Sequence, residues 1–336
     1  MSIVAKIKKA NLVGRGGACF PTALKWESVN KALGADKYVV INAAEGEPGV
    51  KKDGYILAHH SDRVLDGVRL AMEYLGAQKC YLYINSAYYQ KYRLAILKAV
   101  KASGLSQQFE LFVKPSEAGY IGGEETSALN AISGFKIEPR LKPPYPTTCG
   151  LWGSPTLIDN VETFYNVSLV DKGDYKKERF YTISGAVKKP GVYLYPENWT
   201  IEQILLKSNN YPQFPFFVQV GGDACGEVLN QKQLKSIATG AASITVYDLK
   251  RQNPLQLLQF WINFFQSNSC GQCTTCREGT YRLRELLGKK IIDWKLFSDL
   301  LDDLCETSFC ALGSSVSIPI KSYFKNVLNN NLKNGL

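Results

Sequence analysis

The chain has 336 residues, enough for about two or three domains and a substantial buried core. Hydrophobic residues make up 45% and charged residues 21%, which excludes a disordered or collagen-like chain. Forty Lys and Arg against thirty Asp and Glu leave a formal charge of +10, which favours acidic partners or anionic ligands without choosing among them.

In chain order, Lys37–Asn42 (KYVVIN) reads as a buried strand and Asp62–Leu75 as an amphipathic helix, with Val64, Leu65, Val68, Leu70, Ala71 and Leu75 on or near one face. Lys79–Asn85 is a second strand and Tyr88–Ala102 a second helix, ended by Ser103 and Gly104. Phe109–Lys114 is a third strand, closed by Pro115. This succession predicts an α/β unit with a mostly parallel sheet. From Gly119 the texture changes, with glycines before a helix that opens at Glu124 and Glu125. Glu138–Pro155 is too rich in Pro and Gly for regular structure, and a helix fits Ile158–Val170. Residues 180–250 read as a small β-rich module: FYTISGAV, a KKPG turn, VYLY, a helix over Ile201–Lys207 and a strand over Phe216–Val220. From Pro254 the chain reads as helical.

The most apolar stretch, Leu255–Phe265, contains Gln256, Gln259 and Asn263 and falls short of the roughly 20 residues a membrane span needs. The N-terminus lacks the features of a signal peptide. A cytoplasmic chain is expected, peripheral to the inner face of a membrane only through partners. In such a compartment clustered cysteines point to metal before disulfides.

Ser269–Gly279 reads SCGQCTTCREG, placing Cys270, Cys273 and Cys276 in C-x2-C-x2-C. Three thiolates so spaced on a tight loop wrap three corners of an iron–sulfur cubane. Zinc sites more often pair two separated C-x2-C motifs or add His, and the chain has only His59 and His60, which also argues against a Ser-His-Asp triad. Zinc and free thiols remain the alternatives. For the fourth ligand spacing does not separate Cys305 from Cys310. Cys19, Cys80, Cys149 and Cys225 fit buried small side chains.

Gly14–Phe20 (GRGGACF) is not a dinucleotide fingerprint, but its glycines and Arg15 can bring backbone N–H groups and a guanidinium against an anion or a flat ring. The plainer reading is a tight turn into a helix around Thr22–Leu33. Asn42–Gly49 (NAAEGEPG) follows a strand, where α/β folds place ligand loops, and its carboxylates suit ribose hydroxyls or proton transfer as well as a solvated turn. Glu124 and Glu125 at a helix start are equally suited to complementing the helix dipole.

GRGGACFPTALKW, NAAEGEPG, YIGGEET, PRLKPPYPTTCGLWGSPT, DNVET, SCGQCTTCREG and CALG occur in this order. With them the chain resembles, over residues 10–325, the NADH-binding flavoprotein subunit of respiratory complex I, whose relatives serve NAD-linked hydrogenases, formate dehydrogenases and electron-bifurcating complexes. The resemblance implies a Rossmann-like FMN and NADH domain over 1–175, a β-grasp module over 176–252 and a helical [4Fe–4S] domain over 253–336. It implies that Gly14, Arg15, Gly16, Gly17 and Lys25 line the FMN site, with Asn42, Tyr120, Gly123, Glu124, Asp159 and Asn160 joining from other loops. Phe20 and Tyr145 would stack on the nicotinamide nucleotide, and Glu47 and Glu125 would lie near its ribose and nicotinamide. A carboxylate at Glu125 would favour NADH over NADPH by repelling a 2′-phosphate. The CALG match selects Cys310 as fourth cluster ligand. The implied activity is that of an NADH dehydrogenase-type oxidoreductase subunit, a diaphorase that moves hydride between NADH and FMN and single electrons to the cluster. The implied partners are a thioredoxin-like [2Fe–2S] subunit and a larger iron–sulfur or catalytic subunit, with no nucleic acid. The chain departs from the family pattern at Cys19 (usually Gly), Ala44 (acidic), Gly54 (Arg), Asp159 (Asn) and Ser28 (often aromatic). Those departures motivate the alternative of a flavin-less relay or docking subunit.

Overall fold

A computed structural model describes residues 1–34, 36–330, 332 and 335. The chain divides into two units, Met1–Gly46 with Lys51–Glu178 and Glu47–Val50 with Arg179–Leu336.

The first unit is built on β1 (Tyr38–Ala43), β2 (Lys79–Ile84), β3 (Phe109–Val113) and β4 (Thr156–Asn160), all parallel in the order β3-β2-β1-β4. Its helices are α1 (Ile3–Ala10), α2 (Thr22–Lys31), α3 (Lys52–His59), α4 (Ser61–Leu75), α5 (Ser86–Ser103), α6 (Glu125–Ser133) and α7 (Val161–Lys172). Parallel strands need cover on both faces, and Val39, Val40 and Ile41 of β1 are accordingly buried. The apolar face of α4 buries Val64, Leu65, Val68, Ala71 and Leu75 as expected, with Met72 in place of the half-buried Leu70. The strands and helices anticipated at 37–42, 62–75, 79–85, 88–102 and 109–114 fall within two residues of those observed. The helix expected over Ile158–Val170 is corrected. Leu157 and Ile158 are buried in a fourth strand, in register with Val39 and Val40, and the helix starts only at Val161, where the Asn160 side chain accepts the Glu162 N–H. Neither α1 nor α3 was anticipated. The polar start of α3 disguised it: Lys52 and Asp53 are buried there.

The second unit carries a mixed sheet of β5 (Glu178–Gly185), β6 (Gly191–Pro196), β7 (Phe216–Val220), β8 (Glu227–Asn230) and β9 (Ser243–Asp248), ordered β6-β5-β9-β7-β8. The first and last strands, β5 and β9, pair in parallel at its centre, as in a β-grasp. Helix α8 (Ile201–Lys207), closed at its start by a Thr200–Gln203 capping box, buries Ile201, Ile204 and Leu205 in the same core as Val218, Ile244 and Val246. β8 and β9 escaped the sequence reading. Then come α9 (Pro254–Asn268), α10 (Thr274–Leu287), α11 (Trp294–Thr307), α12 (Ala311–Ser314) and α13 (Ser317–Asn326). Sheet and helices share side chains: the Tyr323 ring of α13 lies 5.4 Å from Phe217 of β7 and 5.7 Å from Trp261 of α9. Among the described residues no helix is long and apolar enough to cross a membrane.

Candidate functional site

Open parallel sheets bind ligands beyond the carboxyl ends of their strands. At that edge each strand of the first unit hands over to a polar residue: Lys114 after β3, Asn85 after β2, Asn42 near the end of β1 and Asn160 ending β4. Asn42 donates from Nδ2 to the Gly123 carbonyl (2.9 Å) and accepts the Ala44 N–H, which joins the NAAEGEPG and YIGGEET loops. The glycine-rich loop is closed by the Gly14 N–H donating to the Phe20 carbonyl (2.8 Å) and a bridge between Val13 and Pro21. Gly17 has φ +113° with no atom within 4 Å of where a Cβ would stand, and a Cβ on Gly16 would reach only Asn160 Cβ, at 3.4 Å. This bare backbone above a polar strand edge fits a flavin mononucleotide, whose flat ring and phosphate need close main-chain approach. Cys19 adopts φ +53°, a left-handed region that glycine enters without strain.

Arg15 is 3% exposed, and its guanidinium is engaged with the Tyr175 hydroxyl (2.8 Å) while its N–H is held by Thr163 Oγ1 (2.9 Å). These contacts fix the guanidinium and the backbone of the loop. Lys25 Nζ donates to the Ile158 carbonyl (2.6 Å) and lies 3.4 Å from Asp159 and 3.5 Å from Glu125. Asp159 also accepts from Trp26 Nε1 (3.0 Å). Burial pushes the Asp159 carboxyl up, against the pull of Lys25 and Trp26. The unusual acid thus has a cation and a donor of its own.

Below Asn160 sits a buried charge network that sequence reasoning missed. Lys52 Nζ meets Asp53 (2.6 Å), Glu162 (3.2 Å) and Asn160 Oδ1 (3.1 Å), and Asn160 Nδ2 donates to Asp53 (2.7 Å). Glu45 accepts the Asp53 N–H and the Tyr88 hydroxyl. Burial opposes the Lys52 ammonium, but Asp53, Glu162 and Glu45 outweigh it and hold its pKa above the usual value. Burial, then the Asp53 charge, raises Glu45 to about 7. Lys114 was missed too. It is half-buried, its Nζ donates to the Gly119 carbonyl (2.8 Å), and burial lowers its pKa.

Phe20 (52% exposed) and Tyr145 (56%) present open ring faces in the first unit. Tyr120 lies beside Gly46, its ring 3.5 Å from where a Cβ there would stand. Glu124 caps α6, accepting the N–H groups of Thr126 (2.8 Å) and Ser127 (2.9 Å). Glu125 is clamped between Lys142 (2.6 Å) and Lys25. Burial alone would raise its carboxyl, but the two lysines hold it below the usual range. Glu47 belongs to the second unit, where its Oε1 accepts the Ala224 and Cys225 N–H groups (2.9 Å each).

In that unit Cys273 precedes α10, Cys276 lies in its first turn, and Cys310 precedes α12. Burial raises Cys276 to about 11, and its remaining upward push comes from Cys273, Cys310 and Cys270, so the four sulfurs are neighbours. Cys305 stands exposed on α11, outside this group. Cys80 is buried; Cys19 is exposed, and Cys149 and Cys225 are partly so. Among the described residues no three Cys, His, Asp or Glu side chains converge as ligands of a single ion. A cubane makes no such demand, since each thiolate binds a different iron. The four-thiol donor set fits one, and the left-handed Gly271 (φ +79°) turns the loop between the first two.

The chain matches the family models of the Nuo51 FMN-binding domain over residues 7–169 and of the NADH-ubiquinone oxidoreductase-F iron-sulfur binding region over 256–330. It is 31% identical to the NADH-quinone oxidoreductase F subunit of Aquifex aeolicus, over 93% of this chain and 81% of that one. It is 32% identical to the second of the NADH-quinone oxidoreductase F subunits of Rhizobium meliloti, over 96% and 86%. A chain of an NAD+-reducing [NiFe]-hydrogenase, solved in the H2-reduced state, superposes with a TM-score of 0.90 at 27% identity, over 99% of this chain. This chain spans 62% of the length of that one.

Proposed function

The chain belongs to the family of NADH-quinone oxidoreductase F subunits, and on that premise we propose that it is an NAD-linked flavoprotein that exchanges electrons between NADH and an iron–sulfur partner. The observation that carries this is the presence, in one chain, of a bare-glycine loop at the carboxyl edge of a parallel sheet and of a four-thiol cradle. Bound FMN supplies the conversion between two-electron and one-electron chemistry, and the [4Fe–4S] cluster carries single electrons. The chain's own residues bind and orient. Gly14, Gly16 and Gly17 offer backbone to the flavin, with Asn42, Tyr120, Gly123 and Asn160 around it. Lys25 neutralises Asp159 so that this acid does not repel an electron-rich ligand. Phe20 and Tyr145 stack on the nicotinamide nucleotide, and Glu125, held ionised by two lysines, accepts hydrogen bonds from a ribose. Cys270, Cys273, Cys276 and Cys310 ligate the cluster. Along the chain this reading divides it into an FMN and NADH domain over 1–175, a β-grasp module over 176–252 and a cluster module over 253–336. The partners are a thioredoxin-like [2Fe–2S] subunit and a larger iron–sulfur or catalytic subunit.

Protein purified without air should carry about one FMN per chain, and NADH should bleach it. A chain that takes up no flavin on reconstitution would overturn this reading in favour of a flavin-less relay.

A further inference from the structure

Two serine hydroxyls stand beside the four thiols. Ser269 Oγ, at the end of α9, lies 3.4 Å from Cys276 Sγ and also accepts the Gly271 N–H (3.3 Å). A hydroxyl has one proton. With its oxygen accepting from Gly271, that proton is free to point at sulfur, and a thiolate ligand has none to give back. Ser308 ends α11, two residues before Cys310. Its Oγ is buried with no hydrogen-bond partner among the described residues. A buried hydroxyl without a partner is unfavourable, so its presence calls for a missing acceptor. The direction is marked by Gly313. A Cβ there would stand 2.3 Å from Ser308 Oγ and 3.2 Å from Cys276 Cβ, so the bare glycine is what lets this hydroxyl come up beside the cluster ligand.

We propose that Ser269 and Ser308 donate hydrogen bonds to sulfurs of the [4Fe–4S] cluster, Ser269 to the Cys276 thiolate and Ser308 to a cluster sulfur next to it, and thereby raise its reduction potential. The reduced cube carries one more negative charge than the oxidised one and is the better acceptor, so each donor favours reduction. The cluster then takes electrons from a mild donor more readily than its ligand set alone would allow.

The inference rests on the iron–sulfur reading of this unit, and the experiment separates the two. Ser269→Ala, Ser308→Ala and the double variant are purified without air, their iron is assayed, and the cluster is titrated by electron paramagnetic resonance. Each single alanine should lower the reduced-to-oxidised ratio at a fixed poise about threefold to tenfold, tenfold being 59 mV for one electron, and the double variant should lower it further. Ser269→Thr, which keeps a hydroxyl, should stay near the wild-type ratio. On the unaltered protein, brief exposure to D2O should place exchangeable deuterons in coupling with the reduced cluster, and the alanine variants should lose them. Fully loaded alanine variants within about twofold of wild type, or a reduced cluster with no such deuterons, overturn the proposal while leaving the cluster in place. A chain that binds no iron overturns both.

Discussion

The two candidate centres are built from opposite materials. The sheet edge of the first unit is held by buried charge, with Lys52 against Asp53, Glu162 and Glu45, and Lys25 against Asp159 and Glu125. The cysteine cradle of the second is lined by thiols, hydroxyls and bare glycine, and the cation on its loop, Arg277, is exposed, holding Glu278 and the Gly271 carbonyl. The contrast follows from the ligands each suits. A nucleotide is recognised through oriented polar groups, so its site must hold charges still. A cubane with four thiolates brings its own negative charge, so its cradle needs donors and little else. The first centre should therefore be sensitive to the loss of a single charge, the second to the gain of a single carbon.

The largest test is Lys52→Met. It leaves Asp53, Glu162 and Glu45 buried without their shared cation. Removing one partner of a buried ionic network costs about 3–5 kcal/mol. Urea unfolding should show a loss of that order, with FMN released and with Lys52→Arg recovering part of it. A variant as stable as wild type would mean that the carboxylates are protonated in the folded chain.

Glu45→Gln tests the same network through pH. With its carboxyl raised from 4.5 to about 7, the folded chain keeps a proton that the unfolded chain has already released. Stability therefore falls as pH rises from about 4.5 to 7, at about 1.4 kcal/mol per pH unit at the steepest. The glutamine variant should lose that slope and exceed wild type at pH 8 by roughly 3 kcal/mol. Equal slopes in both proteins would remove Glu45 as the source.

In the cradle the matching change is Gly313→Ala. The added methyl must displace the Ser308 side chain and press on Cys276. Overpacking of this kind costs about 1–3 kcal/mol. Iron content should fall while FMN content stays at the wild-type level. An alanine variant with a full complement of iron would show that the segment after Cys310 yields more easily than its close contacts imply.

These contrasts also explain what could be read from the chain in advance. Cys270, Cys273 and Cys276 were legible as a group because three cysteines lie within seven residues, so local backbone geometry alone brings them together. Spacing left Cys305 and Cys310 equivalent, and only the resemblance through CALG singled out Cys310; α11 ends between them, leaving Cys305 exposed on the helix and Cys310 beyond it. The glycine loop and the NAAEGEPG loop were visible as motifs. Their support was not: Lys52 and Asn160 are 108 positions apart, and no spacing rule joins them. β4 escaped because its short apolar run leads directly into α7, and only pairing with β1 separates strand from helix there.

The smallest expected effect bears on nucleotide choice. Glu125 is held ionised by Lys142 at 2.6 Å and Lys25 at 3.5 Å, so it presents a fixed negative charge. Such a charge accepts from a ribose 2′-OH and repels a 2′-phosphate. Glu125→Gln keeps the shape and the hydrogen-bonding carbonyl but releases both lysines from their carboxylate. Lys25 and Lys142, each left with one carboxylate, Asp159 and Glu124, would then be freer to meet the phosphate. The ratio of kcat/KM for NADPH to that for NADH, read as flavin bleaching, should rise by about tenfold, or about 1.4 kcal/mol. Raising the ionic strength should shrink the gain, since partly exposed charges are screened over about 10 Å at 0.1 M salt. An unchanged ratio would place the ribose away from Glu125 and leave Lys25 and Lys142 as supports for the loop after α6 alone.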